Sequence, residues 1–318
     1  MCRLKNRIII SFMICSTFML LAIPRSWAAD SLKFGILPVV DTLPLIAGIE
    51  EGHFEDQGIM LELIPFQSAL ERDAALQAGK LDGYFGDILN TVLLIHAGSD
   101  IKILTTAFHT HPEHRMFGIA ASPKSGIDNI DQLKGKQVAI SRATIIEYLL
   151  DQMLLKNGKP LDAVEKLEIK KMPLRLQMLL SDGVTAALLP EPLLSLAEMK
   201  GAKVLLDDRT LDTAETVLAI SNRHLSADTT LAVRFTSAYR NAVASINRNP
   251  ESYKTMLVER TRFPMPAKDK YRIPVFPPVE VPVAGDIANA QHWLKTNKMV
   301  TTTLAYENIV VVVAPATP

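Results

Sequence analysis

Beyond residue 28 this 318-residue chain has no cysteine, for its only two are Cys2 and Cys15. That excludes disulfide staples, a thiol nucleophile and cysteine-held structural zinc from the rest of the chain. Stability must then come from buried apolar surface, which a chain of this length can supply as one or two substantial cores. A surplus of charge is missing too: 34 Lys and Arg balance 34 Asp and Glu. With no basic stripe, nucleic acid is an improbable partner. After residue 28 no apolar run reaches membrane-spanning length, and Ile309 to Ala314 is short enough to be only a buried or frayed terminus. Catalytic templates are absent as well. There is no H-E-x-x-H and no G-x-S-x-G, and Gly135-Lys136 is followed by Gln137 where a phosphate loop needs Ser or Thr.

The one long apolar segment lies at the start. Arg3, Lys5 and Arg7 precede the mostly apolar Ile8 to Ile23, and Pro24 to Ala28 closes on Ser26-Trp27-Ala28. This three-part layout is that of a cleavable secretory signal. A permanent span is disfavoured, because the apolar stretch is short and carries Ser11, Ser16 and Thr17. Residues 1–28 are therefore expected to be a signal peptide, cut after Ala28 or one residue later, and the protein is expected to be exported. Cys15 follows Phe12-Met13-Ile14 rather than small residues, so a lipid anchor is not expected. Without the four basic residues of the leader the chain is near −4.

From Ser31 onward short β-branched runs alternate with helical patterns, the signature of parallel sheets with crossover helices. Strands are expected at Leu32–Leu37, Ile59–Pro65, Gly83–Phe85, Ile101–Phe108 and Met116–Ser122. After a restart they recur at Gln137–Ser141, Leu167–Lys171, Thr185–Leu189, Lys203–Leu206 and Thr216–Ser221. Helices fill the gaps, and Ala227 to Asn249 reads as one long helix with Leu231, Phe235, Ala238, Tyr239, Ala242, Val243 and Ile246 on one face. Two α/β units and a helical return predict two lobes, residues 29–118 with 220–318 and residues 119–219. Met116–Ser122 and Thr216–Ser221 bracket the second unit and read as paired crossover strands. Two adjacent linkers permit a hinge with a ligand cleft between the lobes.

Loops at the carboxyl ends of the strands carry the candidate ligand-binding residues. In Lys134 to Glu147 a strand hands over to a helix within three residues, which aims free N–H groups, Ser141 and Thr144 at a crevice suited to acceptors or negative charge. Thr144 with Glu147 equally forms a capping box, as does Ser68 with Glu71. Asp41 and Thr42 either cap the Leu43 helix or face a ligand, and Asp87 has the same two readings. Phe66 and Gln67 are freer to face a guest. Arg175 stands near a helix start, where the dipole disfavours a cation, and so is a candidate partner for a carboxylate, sulfonate or phosphate. Glu191, held between Pro190 and Pro192, suits a rigid cleft rim. His109, His111 and His114 could hold zinc, copper or nickel, or serve only as polar loop residues. No metal and no cofactor is called for.

These stretches together are similar to one family. Pro44-Leu45-Ile46-Ala47-Gly48-Ile49-Glu50-Glu51-Gly52-His53-Phe54 and Ala78-Gly79-Lys80-Leu81-Asp82-Gly83 with Asp87 resemble the first lobe of substrate-binding proteins of ABC importers, of the nitrate/sulfonate/taurine and thiamine-precursor type. Leu133-Lys134-Gly135-Lys136, Val138-Ala139-Ile140-Ser141 and Leu189-Pro190-Glu191-Pro192 before Gly201-Ala202 resemble the second. The likeness runs from about Leu32 to Tyr306. It implies an α/β, type II periplasmic-binding fold with two mostly parallel sheets, a periplasmic location, a monomer, no enzymatic activity, and delivery of a small molecule to a permease and its ATPase. It also implies that Asp41, Gln67, Ser68, Asp87, Ser141 to Thr144 and Glu191 line the cleft. Two departures stand out: Thr185 replaces a frequent Asp, and the cysteine-rich motif of related pyrimidine synthases is absent. The remaining alternatives are a periplasmic enzyme on this scaffold, such as a small-molecule lyase, and a metal-binding protein using the histidines.

Overall fold

Ten strands among the described residues divide into two sheets of five. The computed structural model describes residues 30–261, 263–269 and 271–311, so the expected signal peptide and the end of the apolar tail lie outside it. The first sheet has the order β2-β1-β3-β10-β4, built from β1 (Asp30–Ile36), β2 (Ile59–Pro65), β3 (Gly83–Gly86), β4 (Ile101–His109) and β10 (Ala214–Ser221). The second has the order β7-β6-β8-β5-β9, from β5 (Phe117–Ala121), β6 (Gln137–Ile140), β7 (Glu165–Glu168), β8 (Ala186–Pro190) and β9 (Lys203–Asp207). In each, a parallel trio is extended by antiparallel pairs through β10 or β5. The two sheets thus repeat one topology, β2 answering to β7, β1 to β6 and β3 to β8.

Helices α1 (Leu43–Glu50), α2 (Ala69–Gln77) and α3 (Ile88–His96) follow the first three strands. Helices α4 (Ile145–Lys156), α5 (Met172–Leu180) and α6 (Leu193–Met199) follow β6, β7 and β8. The expected long helix, Ala227 to Asn249, is α8 (Leu231–Arg248), and a separate short helix, α7 (Asn222–Ala227), precedes it. They part at Asp228, whose carboxylate takes the Thr230 N–H (2.8 Å) and thereby starts the second helix. All seven apolar residues expected on the inner face of α8 are buried. Phe235 lies between Phe34 (5.5 Å between ring centroids) and Phe54 (5.1 Å), joining α8 to the first sheet. Phe235→Ala is expected to destabilise the protein by roughly 3–5 kcal/mol through lost burial and a residual cavity. Urea unfolding measures it, and a loss below about 1 kcal/mol would mean that this cluster collapses around the gap.

The chain passes between sheets twice, through residues 110–116 and 208–213. These segments run side by side, with the Thr110 N–H donating to the Thr213 carbonyl (3.1 Å) and the Thr213 N–H donating to Thr110 Oγ1 (3.0 Å). The two extended runs that flank them divide, β5 entering the second sheet and β10 the first. The expected boundary at 219/220 therefore falls inside β10. After α9 (Lys254–Thr261) and an irregular proline-rich stretch, α10 (Ala284–Thr296) lies against α3 and also reaches α4. There the Trp293 indole N–H donates to Asp151 Oδ2 (3.0 Å), and its ring meets Tyr148 edge-on at 5.8 Å. The chain's last described residues bury Ile309 and Val310 and pair Val310 with Ile103 at the edge of β4.

Candidate functional site

The parallel strands point their carboxyl ends at a narrow space between the sheets. At the end of β3, Asp87 caps α3, one carboxylate oxygen taking the Asn90 N–H at 2.7 Å. Its other oxygen takes the Ile145 N–H of α4 across the cleft at 3.3 Å. The helix start expected to offer free donors is thus occupied by the protein's own carboxylate. Thr144 completes the cap, accepting from the Ile146 N–H (3.2 Å) and donating to the Ser141 carbonyl (2.9 Å). The turn needs a left-handed residue at Ala143 (φ 58°), uncommon for a residue with a Cβ. Glu147 Oε2 holds that residue's N–H at 2.9 Å, so the capping pair forms, displaced by one residue from the usual box.

Arg175 sits four residues beyond the N-cap of α5. Met172, Leu176 and Leu179 of that helix are buried, and Arg175 falls on the same face, where spacing calls for an apolar residue. It is 0 % exposed. Nη1 donates to Ser141 Oγ (3.1 Å) and to the Ile169 carbonyl (3.0 Å), whereas Nε and Nη2 have no partner among the described residues. Burial pushes the guanidinium down to about 10, so it remains a cation at neutral pH. A buried cation with two idle donors is unfavourable until an acceptor arrives, which makes this the most ligand-demanding group in the cleft.

The matching position in the first sheet's helices is Arg72, four residues beyond the N-cap Ser68 of α2. It too is buried, at 1 % exposure, but each of its nitrogens has a partner. Nη1 donates to the Phe85 carbonyl (2.6 Å), Nε and Nη2 to Asp73, Nη2 also to Asn90, and the guanidinium lies 4.6 Å from the Tyr84 ring centroid. One arginine braces the cleft floor and its counterpart is left open.

A cavity of about 50 Å³ lies between them, lined by Asp41, Arg72, Asp87 and Ala69 from one side and Ser141, Thr144, Lys170, Met172 and Arg175 from the other. That is room for a few water-sized groups. The cleft is shut. Besides the Asp87 bond, the Met172 N–H donates to the Gln67 carbonyl (3.2 Å), Lys171 pairs with Glu71 (3.0 Å), and the Val40 N–H donates to the Glu191 carbonyl (3.3 Å).

Of the expected residues, Asp41, Asp87, Ser141, Thr144 and Arg175 meet in this cavity. The rest are placed otherwise. Thr42 donates to the Val39 carbonyl (2.7 Å) inside its own turn. Ser68 caps α2 through the Glu71 N–H (3.3 Å), Gln67 is exposed and contributes its carbonyl at the rim, and Phe66 leans on Gly35. The Glu191 carboxylate is taken by the Ser195 N–H (3.0 Å), Ser195 Oγ (2.9 Å) and Arg115 Nε (3.0 Å). It faces a second cavity of about 590 Å³ with Arg115, Arg209 and Tyr271. His109 lies 3.6 Å from Asp212, apart from the His111–His114 pair.

Behind the cavity, at the crossings, three acids meet. Asp41 accepts from Thr216 Oγ1 at 2.7 Å, and burial drives its carboxyl up to about 7. Asp208 takes the Met116 N–H (3.0 Å) and the Phe117 N–H (3.0 Å), yet burial still raises it to about 6. Glu215, 0 % exposed and within hydrogen-bond reach of the Asp208 carboxylate, is pushed well above the usual range by burial and then by Asp208 and Asp41.

The family model described as "NMT1/THI5 like" matches residues 40–253. The chain belongs to that family. Among relatives, a putative aliphatic sulfonates-binding protein of Bacillus subtilis (strain 168) is 29 % identical over 177 residues, covering 53 % of this chain and about half, 51 %, of the relative. The fold resembles the MOPS-bound alkanesulfonate-binding protein SsuA of Xanthomonas axonopodis pv. citri, with TM-score 0.74, 18 % identity, and 88 % and 98 % of the two chains covered. It also resembles the desulfurization enzyme DSZB, with TM-score 0.64, 16 % identity, and 89 % and 96 % covered. This NMT1/THI5-like protein therefore has the type II periplasmic-binding fold that its sequence pattern resembles, with two mixed five-stranded sheets in each of which four strands run one way, as expected, and one, β10 or β5, runs the other.

Proposed function

We propose that this protein is the exported, periplasmic solute-binding component of an ABC importer, working as a monomer without a cofactor. It captures a small organic anion between its lobes and presents it to a membrane permease driven by an ATPase. The observation that carries the reading is Arg175: a fully buried cation with two idle donors aimed into the interlobe cavity. The sulfonate-binding relative supports the same charge class. Capture proceeds by lobe closure, because contacts from both sides are complete only when the cleft is shut and the ligand shifts that equilibrium. The guest enters with the cleft open, and its acidic head then meets Arg175 and Ser141.

Calorimetry and thermal shift with short alkanesulfonates, nitrate, small carboxylates and neutral pyrimidines test this directly. An anion at about 1,000 times its Kd should stabilise the protein by about 4.1 kcal/mol. Binding of neutral compounds alone would remove the anion assignment.

The second reading, an enzyme, is favoured by one observation, the fold shared with a desulfurization enzyme. With no cysteine after residue 15, thiol chemistry has no nucleophile here. Incubation with an aryl sulfinate and assay for released sulfite separates the two readings, and binding without turnover is the expected result.

A further inference from the structure

The crossing between β4 and β5 carries a side-chain cluster that anion capture does not use. We propose that His111, Glu113 and His114 form a site for a divalent transition cation of the zinc class, clipping this crossing independently of the ligand in the cleft. The turn is tight. The His114 N–H donates to the His111 carbonyl (3.2 Å), the two residues form an isolated antiparallel bridge, and Pro112 restricts the backbone between them. This brings the imidazoles together, with centroids 5.2 Å apart and planes 35° apart, and one ligand atom from each of the three side chains lies within 4.8 Å of the others. Zinc bonds of about 2.0–2.2 Å require closer ligands than that, so the side chains must swing inward. They are free to do so, since Glu113 is exposed and both histidines are only partly buried.

The donor set decides the class of ion. Two imidazoles and one carboxylate suit zinc, copper or nickel, whereas calcium and magnesium prefer a shell of oxygens. Three protein ligands leave a position for water. The next residue, Arg115, pairs with Glu191 (3.0 Å) and Glu198 (2.5 Å) on the side of the second sheet. A cation at this turn therefore stiffens one of the two segments that connect the sheets.

The exported full-length protein, made without a histidine tag, is dialysed against ZnCl2 and separately against CaCl2, and bound metal is counted. One zinc per chain and no calcium is expected. His111→Ala and Glu113→Gln should each weaken zinc by about tenfold or more, His111→Ala with His114→Ala should abolish it, and Arg175→Ala should leave it unchanged. Thermal melts in EDTA identify any variant that fails to fold, and Glu113→Gln, a surface change, keeps the test open if the histidine variants do. Failure of the wild-type protein to take up zinc, or retention of zinc by the folded double variant, overturns the proposal.

Discussion

Alanine at Arg175 is expected to weaken an anionic ligand by at least about 100-fold while leaving any neutral ligand within a few-fold of its wild-type affinity. The idle Nε and Nη2 supply two charge-assisted hydrogen bonds of roughly 1.5–3 kcal/mol each, and every 1.4 kcal/mol is about tenfold in Kd. The loss should fall mainly in the off-rate, since the arginine is buried and contributes little to long-range steering. Arg175→Lys is the instructive control. It keeps the charge without the planar fork, so it should bind between wild type and alanine. The unliganded Arg175→Ala protein should fold, because what is removed is a buried cation whose burial is itself unfavourable; its Nη1 bonds to Ser141 and Ile169 partly offset that gain. Titration calorimetry on both variants reads the result, and equal losses for charged and neutral guests would sink the assignment.

The second large effect is on pH. Asp41 and Asp87 in the cavity, with Asp208 and Glu215 behind it, are all raised chiefly by burial, the first three to about 7, 6 and 6. A carboxyl that binds its proton more tightly folded than unfolded stabilises the fold fully below about pH 4. That contribution drains away as pH climbs through the folded value. Stability should therefore fall from pH 5 to pH 8. The rise of Asp41 from 3.8 to about 7 alone corresponds to roughly 4 kcal/mol, so a loss of a few kcal/mol is the expected order. His114 is lowered and works in the opposite sense, but it is partly exposed. Asp41→Asn keeps an acceptor for Thr216 and should flatten the slope in urea titrations at the two pH values. Higher stability at pH 8 than at pH 5 in the wild type would show that these acids do not titrate in the folded protein as proposed.

Much of this is readable from the chain, and the exceptions have physical reasons. Caps at Ser68, Asp87 and Thr144 are local, three- and four-residue matters: Ser68 and Asp87 each accept the N–H three residues on, and Thr144 the N–H two residues on. Arg175 is visible because a cation at a helix start opposes the dipole. Arg72 occupies the equivalent place, yet gives no such signal, because Glu71 and Asp73 flank it in sequence and offset its charge near the helix start. Strand β7 begins two residues earlier than expected, at Glu165. It is an edge strand of Glu, Lys, Leu and Glu, so its polarity hides it, and the apolar Ile169 draws the reading forward. Glu215, inside β10 and fully buried, has no signal at all: its neighbours are brought by the crossings, and proximity of that kind leaves no periodicity. For the same reason the chain does not reveal that Glu191 turns to Arg115 and Ser195 rather than to the small cavity.

Trp293 binds Asp151 from the far side of the division between sheets, and the chain holds only one other tryptophan, Trp27, within the expected signal peptide. An indole whose N–H is bonded to a carboxylate and whose edge is sheltered by Tyr148 emits differently from one released to water. Under the lobe closure proposed above, Trp293 is an optical gauge of jaw position, readable in stopped flow without a dye and without touching any residue that meets the guest.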